Sequence, residues 1–255
     1  MPEVTVTAIV IRRRDSGESD RRLTLLTREL GKVDAIAKGA KKGASRLAGS
    51  SDPLTSARMT LAKGKVNQFV TQAQPLRSYR GLRTDYERLS LALALVELYA
   101  AVLPWEQPVE SAYDLLDLSL SAIESHPAPI AALVWSELKL LEESGFLPQF
   151  DRCVVTDSGI QEQDPWLSPT AGGYVAVGAA NDFSDRVRSK YEVLVGLART
   201  AELPEPPPKL RFAEECLLAM IPFWRHIADT PLPANEALKR EMRHAHIGNG
   251  SDGPG

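Results

Sequence analysis

Four cations fall within nine positions in Lys38-Gly39-Ala40-Lys41-Lys42-Gly43-Ala44-Ser45-Arg46, and every other residue of that stretch is small. Small residues let a backbone approach a ligand closely, and each cation can neutralise one phosphate and release its counterion. Arg12-Arg13-Arg14 and Lys63-Gly64-Lys65 are two further basic clusters that would extend the same face. Aromatic residues nearby are few, Phe69 and Tyr79, which favours tracking a phosphate backbone over reading bases. A nucleotide-binding P-loop requires four residues between a Gly and a Gly-Lys-Ser/Thr. Gly39 to Ser45 lacks that spacing, and Gly31-Lys32-Val33 lacks the hydroxyl that would hold magnesium.

Other chemistry is poorly supplied. His126 lies beside Pro127, while His226, His244 and His246 lie towards the C-terminus, and the spacing of His244-Ala245-His246 does not suit one helical face. Asp114/Asp117 and Asp182/Asp185 are expected at helix starts or on solvent faces. Neither Gly-x-Ser-x-Gly nor His-Glu-x-x-His occurs, so the chain is expected to be no enzyme and to need no cofactor. Cys153 and Cys216 are too few for a disulfide framework and read as buried, reduced thiols.

The elements that must position these residues divide the chain by charge. Residues 1–80 carry 16 Lys and Arg against 7 Asp and Glu, a net of +9, whereas residues 81–255 carry 14 against 26, a net of −12. Such asymmetry points to a polyanion-binding module joined to one with another task. The basic part alternates as short strands: Val4–Ile11, Arg22–Thr27, Val33–Ala37, Leu54–Ala62 and Val66–Ala73. Five strands in about 80 residues predict a small barrel, with the OB-fold the first expectation and an SH3-like barrel its nearest rival.

From Leu82 the period becomes helical. Helices are expected over Asp85–Leu103 with Thr84 as N-cap, Val109–Glu124, Ile130–Ser144 closed by Gly145, Phe183–Thr200, and Lys209–Ala228 with Pro222 inside. Residues 146–181, rich in Pro and Gly, read as an irregular insert or small β-element. The polar tail 247–255 is expected to be disordered. The class is therefore α+β, with a basic barrel over 1–80, expected to bind nucleic acid, and a helical domain over 81–246. The apolar run Leu89–Leu103 is too short to span a bilayer, and Met1–Glu3 leads directly into a strand, so a cytoplasmic location is expected.

Gly31-Lys32-Val33-Asp34-Ala35-Ile36-Ala37-Lys38-Gly39-Ala40-Lys41-Lys42, followed by Ser45-Arg46-Leu47, resembles the strand-to-basic-loop element of the RecO family of recombination mediators. The helix over Arg83–Leu103 and the stretch Leu210-Arg211-Phe212 fall where that family's helical domain would place them. The resemblance implies an N-terminal OB-fold, a helical bundle and a small inserted zinc module. It also implies binding of single- and double-stranded DNA, annealing of complementary strands, and partnership with RecR and the single-strand-binding protein. At the family's four zinc-ligand positions this chain has Cys153, Thr156, Ala176 and Ala179, so no metal is expected. The acidic, apolar-ended tail of a single-strand-binding protein would need a cation beside an apolar slot, for which Arg186, Arg188, Lys190 and Lys209 are candidates. A scaffold acting through protein contacts and an RNA-binding OB-fold are the competing readings.

Overall fold

The computed structural model describes residues 2–43, 45–109, 111–163 and 165–248. They form two compact units, residues 1–124 and 125–255. In the first, strands β1 (Glu3–Ser16), β2 (Asp20–Thr27), β3 (Gly31–Ala37), β4 (Ser56–Lys63) and β5 (Gln68–Arg77) close a barrel in the order β1-β2-β3-β5-β4. All pairs are antiparallel except β3 with β5, which closes the barrel through Ala35 and Ile36 opposite Gln68 and Phe69. This is the OB-fold arrangement, with helices after it. A register shift between Val10 and Arg12 bends β1, so that its first half pairs with β4 and its second half with β2.

Strict alternation explains the interior. Val6, Ala8 and Val10, then Leu23 and Leu25, then Val33, Ala35 and Ala37 face Ala57, Met59, Leu61 and Val70 in one buried cluster. The residues between them lie on the outer side of the strands, among them exposed Arg58 and half-buried Asp34. At the β2–β3 turn, Gly31 has φ +71°, and a Cβ there would lie 2.1 Å from the carbonyl oxygen of Gln107. Only glycine permits that approach.

Helices α1 (Arg80–Thr84), α2 (Tyr86–Val102) and α3 (Ala112–Ser125) follow the barrel. The N-cap of α2 is Asp85, whose carboxylate accepts from the Arg88 N–H at 3.2 Å, rather than the expected Thr84, which belongs to α1.

The second unit contains α4 (Pro129–Glu143), α5 (Tyr191–Ala201), α6 (Ala213–Ile227) and α7 (Pro233–Gly248). After α4, Gly145 takes φ +77°, and the Gly145 and Phe146 N–H groups donate to Glu142 and Leu141, the Schellman closure its glycine foretold. The insert holds a small antiparallel sheet, β6 (Trp166–Ser168) between β7 (Gly173–Val175) and β8 (Val187–Arg188).

Two helix expectations need correction. The helix placed from Phe183 begins only at Tyr191. Residues before it serve β8 and a turn in which Asp185 accepts from the Ser168 hydroxyl at 2.6 Å and the Thr170 N–H at 2.8 Å. A side chain committed to the insert's backbone overrides local helix propensity. Asp185 is thus an internal acceptor, and its hydrogen bonds lower its carboxyl below the ordinary value despite the opposing effect of burial. The second correction is α7, which the sequence reading omits although Pro233 at its start and Glu236 in its first turn signal it. Positions 247 and 248 close that helix, and the rest of the tail lies outside the described residues.

Candidate nucleic-acid interface

Strand register decides which cations share a surface. One cross-strand row runs Arg14–Arg22–Ile36–Phe69 over β1, β2, β3 and β5, and the adjacent row runs Arg12–Thr24–Asp34. Arg12, Arg14 and Arg22 therefore stand on the outer face of one curved sheet, and all three are exposed. Asp34 accepts from Arg22 Nε and from the Thr24 hydroxyl, each at 2.8 Å, which orients the Arg22 guanidinium along the face. Arg22 is not marked out by its sequence neighbours, Arg21 and Leu23. Its membership depends on pairing with Arg14.

The loop after β3 borders the same face. Lys38 directly follows β3, two positions after Ile36, with its ammonium 4.6 Å from the Phe69 ring centroid. The Gly39 N–H donates to the Asp20 carboxylate at 2.8 Å, and the Lys41 N–H donates to the Ser19 carbonyl at 2.9 Å, so the loop is tied to the β1–β2 hairpin. Ala40 is fully buried and anchors it. The Gly39 and Ser19 donors hold the Asp20 carboxyl below the usual range. Lys41 pairs with Asp15 at 2.8 Å, which likewise lowers Asp15, while Lys42 and Arg46 are exposed.

The other predicted cations separate. Arg13 points away from the row and pairs with Asp52, which also accepts from Arg21 at 3.2 Å. Lys63 and Lys65 flank the β4–β5 turn, closed by the Gly64 N–H donating to Asn67 at 2.8 Å, at the Gln68 end of β5.

In the second unit, the four positions of the implied zinc module split between two turns. Cys153 Sγ accepts from the Val155 N–H at 3.4 Å and the Ala176 N–H at 3.2 Å. Burial raises this thiol, but those bonds and one with Thr156 outweigh it and leave the thiol below its ordinary value. Ala179 packs with Val175 and Ala180 against Val154 and Phe183. One thiol, one hydroxyl and two methyl groups do not make a tetrahedral zinc site. Cys216 is buried in the same unit.

Of the candidate anion holders there, Arg188 and Lys190 line a cavity of about 450 Å³ with Leu167, Val187 and Leu218. Arg186 instead lies over the Trp166 ring, and Lys209 lines a separate groove beside α5. The His244 and His246 side chains lie outside the described residues.

A closed OB-fold barrel with a cationic outer sheet, followed by helices, defines the class: an OB-fold protein with a basic barrel. Residues 1–79 match the family described as "Recombination protein O N terminal" and residues 83–205 that described as "Recombination protein O C terminal". The DNA repair protein RecO of Heliobacterium modesticaldum is 39% identical over 175 residues, 66% of this chain and 62% of the relative. That of Roseiflexus sp. is 37% identical over 166 residues, 65% of this chain and 58% of the relative. That of Anaeromyxobacter sp. is 32% identical over 231 residues, 87% of this chain and 91% of the relative. The aligned stretch thus spans less than two thirds of the first two relatives and most of the third. The chain belongs to the RecO family of DNA repair proteins.

Proposed function

We propose that this protein is a recombination mediator. Its barrel binds single- and double-stranded DNA, anneals complementary strands and helps load recombinase onto protein-coated single strands. The observation that carries this reading is the Arg14–Arg22–Ile36–Phe69 row bordered by the Lys38–Arg46 loop, within residues 1–80, whose net charge is +9. A sheet that places guanidinium groups beside an aromatic ring suits a flexible strand, since cations track phosphates and rings accept bases. Bringing two backbones onto one cationic surface lowers their mutual repulsion, and that requires no bond making by the protein.

Two partners complete the proposal, RecR and the C-terminal tail of a single-strand-binding protein. The Arg188/Lys190 cavity supports the second, because it sets cations against Leu167, Val187 and Leu218, as an acidic, apolar-ended peptide requires. A cytoplasmic, DNA-associated location accords with this role; among the described residues no helix is long and apolar enough to cross a membrane.

The test is annealing of complementary oligonucleotides without ATP, alongside salt titrations on single-stranded DNA, RNA and duplex. Acceleration without nucleotide is expected. Failure at every protein-to-DNA ratio would refute the reading, and preference for RNA would favour the RNA-binding alternative.

A further inference from the structure

Few rings lie in the barrel strands themselves, but one reaches the barrel from a segment distant in sequence. Trp105 belongs to the segment between α2 and α3, yet it forms a parallel bridge with Lys32 of β3, and the next residue's N–H donates to the Lys32 carbonyl at 2.8 Å. This segment lies along β3 beyond the short pairing with β5 and brings an indole to the barrel. Gly31 accommodates it, because any side chain there would strike Gln107. Glu106, held at φ 54°, turns the chain directly after the indole. Such a left-handed non-glycine conformation persists where surrounding structure imposes it.

The indole is held on one side and open on the other. The Lys32 ammonium lies 4.5 Å from the Trp105 ring centroid and donates to the Ala100 carbonyl at 2.7 Å, while Trp105 remains 50% exposed. A ring backed by a buried cation loses little freedom when a flat ligand covers its outer side. The cleft beside it, about 280 Å³, is lined by Arg22, Asp34, Val66, Asn67, Gln68 and Glu106. Asn67 and Gln68 offer amide donors and acceptors, and Val66, 91% exposed, offers an apolar edge. The Asp34 and Glu106 carboxylates repel a phosphate but can accept from a base amine. Arg22 belongs both to this cleft and to the cationic row.

Resting on the single-strand-binding reading above, we infer that Trp105 is a base-stacking platform: phosphates follow Arg14 and Arg22 while one unpaired base stacks on the open indole face. Duplex DNA, whose bases are already stacked, gains nothing there. The same barrel thus holds single strands and duplex by overlapping cations but favours single strands through Trp105.

The experiment uses the full-length protein, a 30-mer of deoxythymidine, an abasic 30-mer with the same phosphates, and a 30-base-pair duplex. Wild type should bind the thymidine strand more tightly than the abasic strand. Trp105→Ala should weaken thymidine binding by roughly tenfold or more, leave abasic and duplex binding and the salt slope within about twofold, and abolish the preference. Trp105→Phe, which keeps a ring, should retain part of it. Indole fluorescence gives a readout on the unaltered protein. Of the other three tryptophans, Trp135 and Trp224 are 2% and 1% exposed and Trp166 is partly covered, so quenching by thymidine should vanish in Trp105→Phe. No quenching in wild type, or an unchanged preference in Trp105→Ala, would overturn the platform while leaving DNA binding intact. Wild type that binds none of the three would overturn both readings.

Discussion

Replacing Lys38, Lys41, Lys42 and Arg46 together with Ala removes four charges from the loop bordering the row. Each cation that displaces a counterion from single-stranded DNA adds about 0.7 to the slope of log affinity against log salt, so full engagement predicts a slope flatter by roughly 3. Between 50 and 200 mM salt, a loss of that size reduces the fall in affinity by roughly 50-fold relative to wild type. The structure adds a complication. Lys41 is paired with Asp15, and its removal uncovers a carboxylate at the edge of the phosphate path. Adding Asp15→Asn to the quadruple variant separates lost attraction from new repulsion. Affinity should rise at low salt while the slope stays flat. The fold should survive, because the loop is held by the Gly39 and Lys41 N–H groups and by buried Ala40, none of which the substitutions alter. Exposed cations usually contribute little to stability, so Tm should move by no more than about 3 °C. Fluorescence anisotropy of a labelled single strand across salt, with thermal melts in parallel, checks both. Equal slopes for two folded proteins would refute the loop as principal phosphate contact and leave Arg12, Arg14 and Arg22 as the site.

Glu137 is buried and accepts from the Trp224 indole N–H at 2.6 Å, and burial pushes its carboxyl up to about 8. A folded pKa above the unfolded one means stability that is complete below the ordinary 4.5 and is lost as pH rises through about 8. Glu137→Gln, which can still accept the indole N–H, should therefore gain on wild type in Tm from pH 5 to pH 8. A pH-independent difference would show that burial does not govern this group. Purified protein should contain no stoichiometric zinc and melt unchanged in chelator, because the two alanines at ligand positions have no donor atoms; about one zinc per chain by elemental analysis would overturn this.

Local rules carried much of this protein. Alternation in Val4–Ile11, Arg22–Thr27 and Val33–Ala37 named the barrel's interior, since inward residues must be apolar wherever they pair. Gly145 announced its helix end, because a left-handed residue after a helix favours glycine. The charge split set the basic residues 1–80, which hold the barrel strands, apart from the acidic remainder. Strand register and chain return belonged to tertiary structure alone. Arg22 became part of a row with Arg14, and Arg13 was lost to Asp52, because cross-strand pairing fixes neighbours distant in sequence. Asp185 left its expected helix start because the insert's backbone required an acceptor. Trp105 reached the barrel because Gly31, 74 positions earlier, lacks the side chain that would block Gln107, a steric fact invisible until the two segments meet.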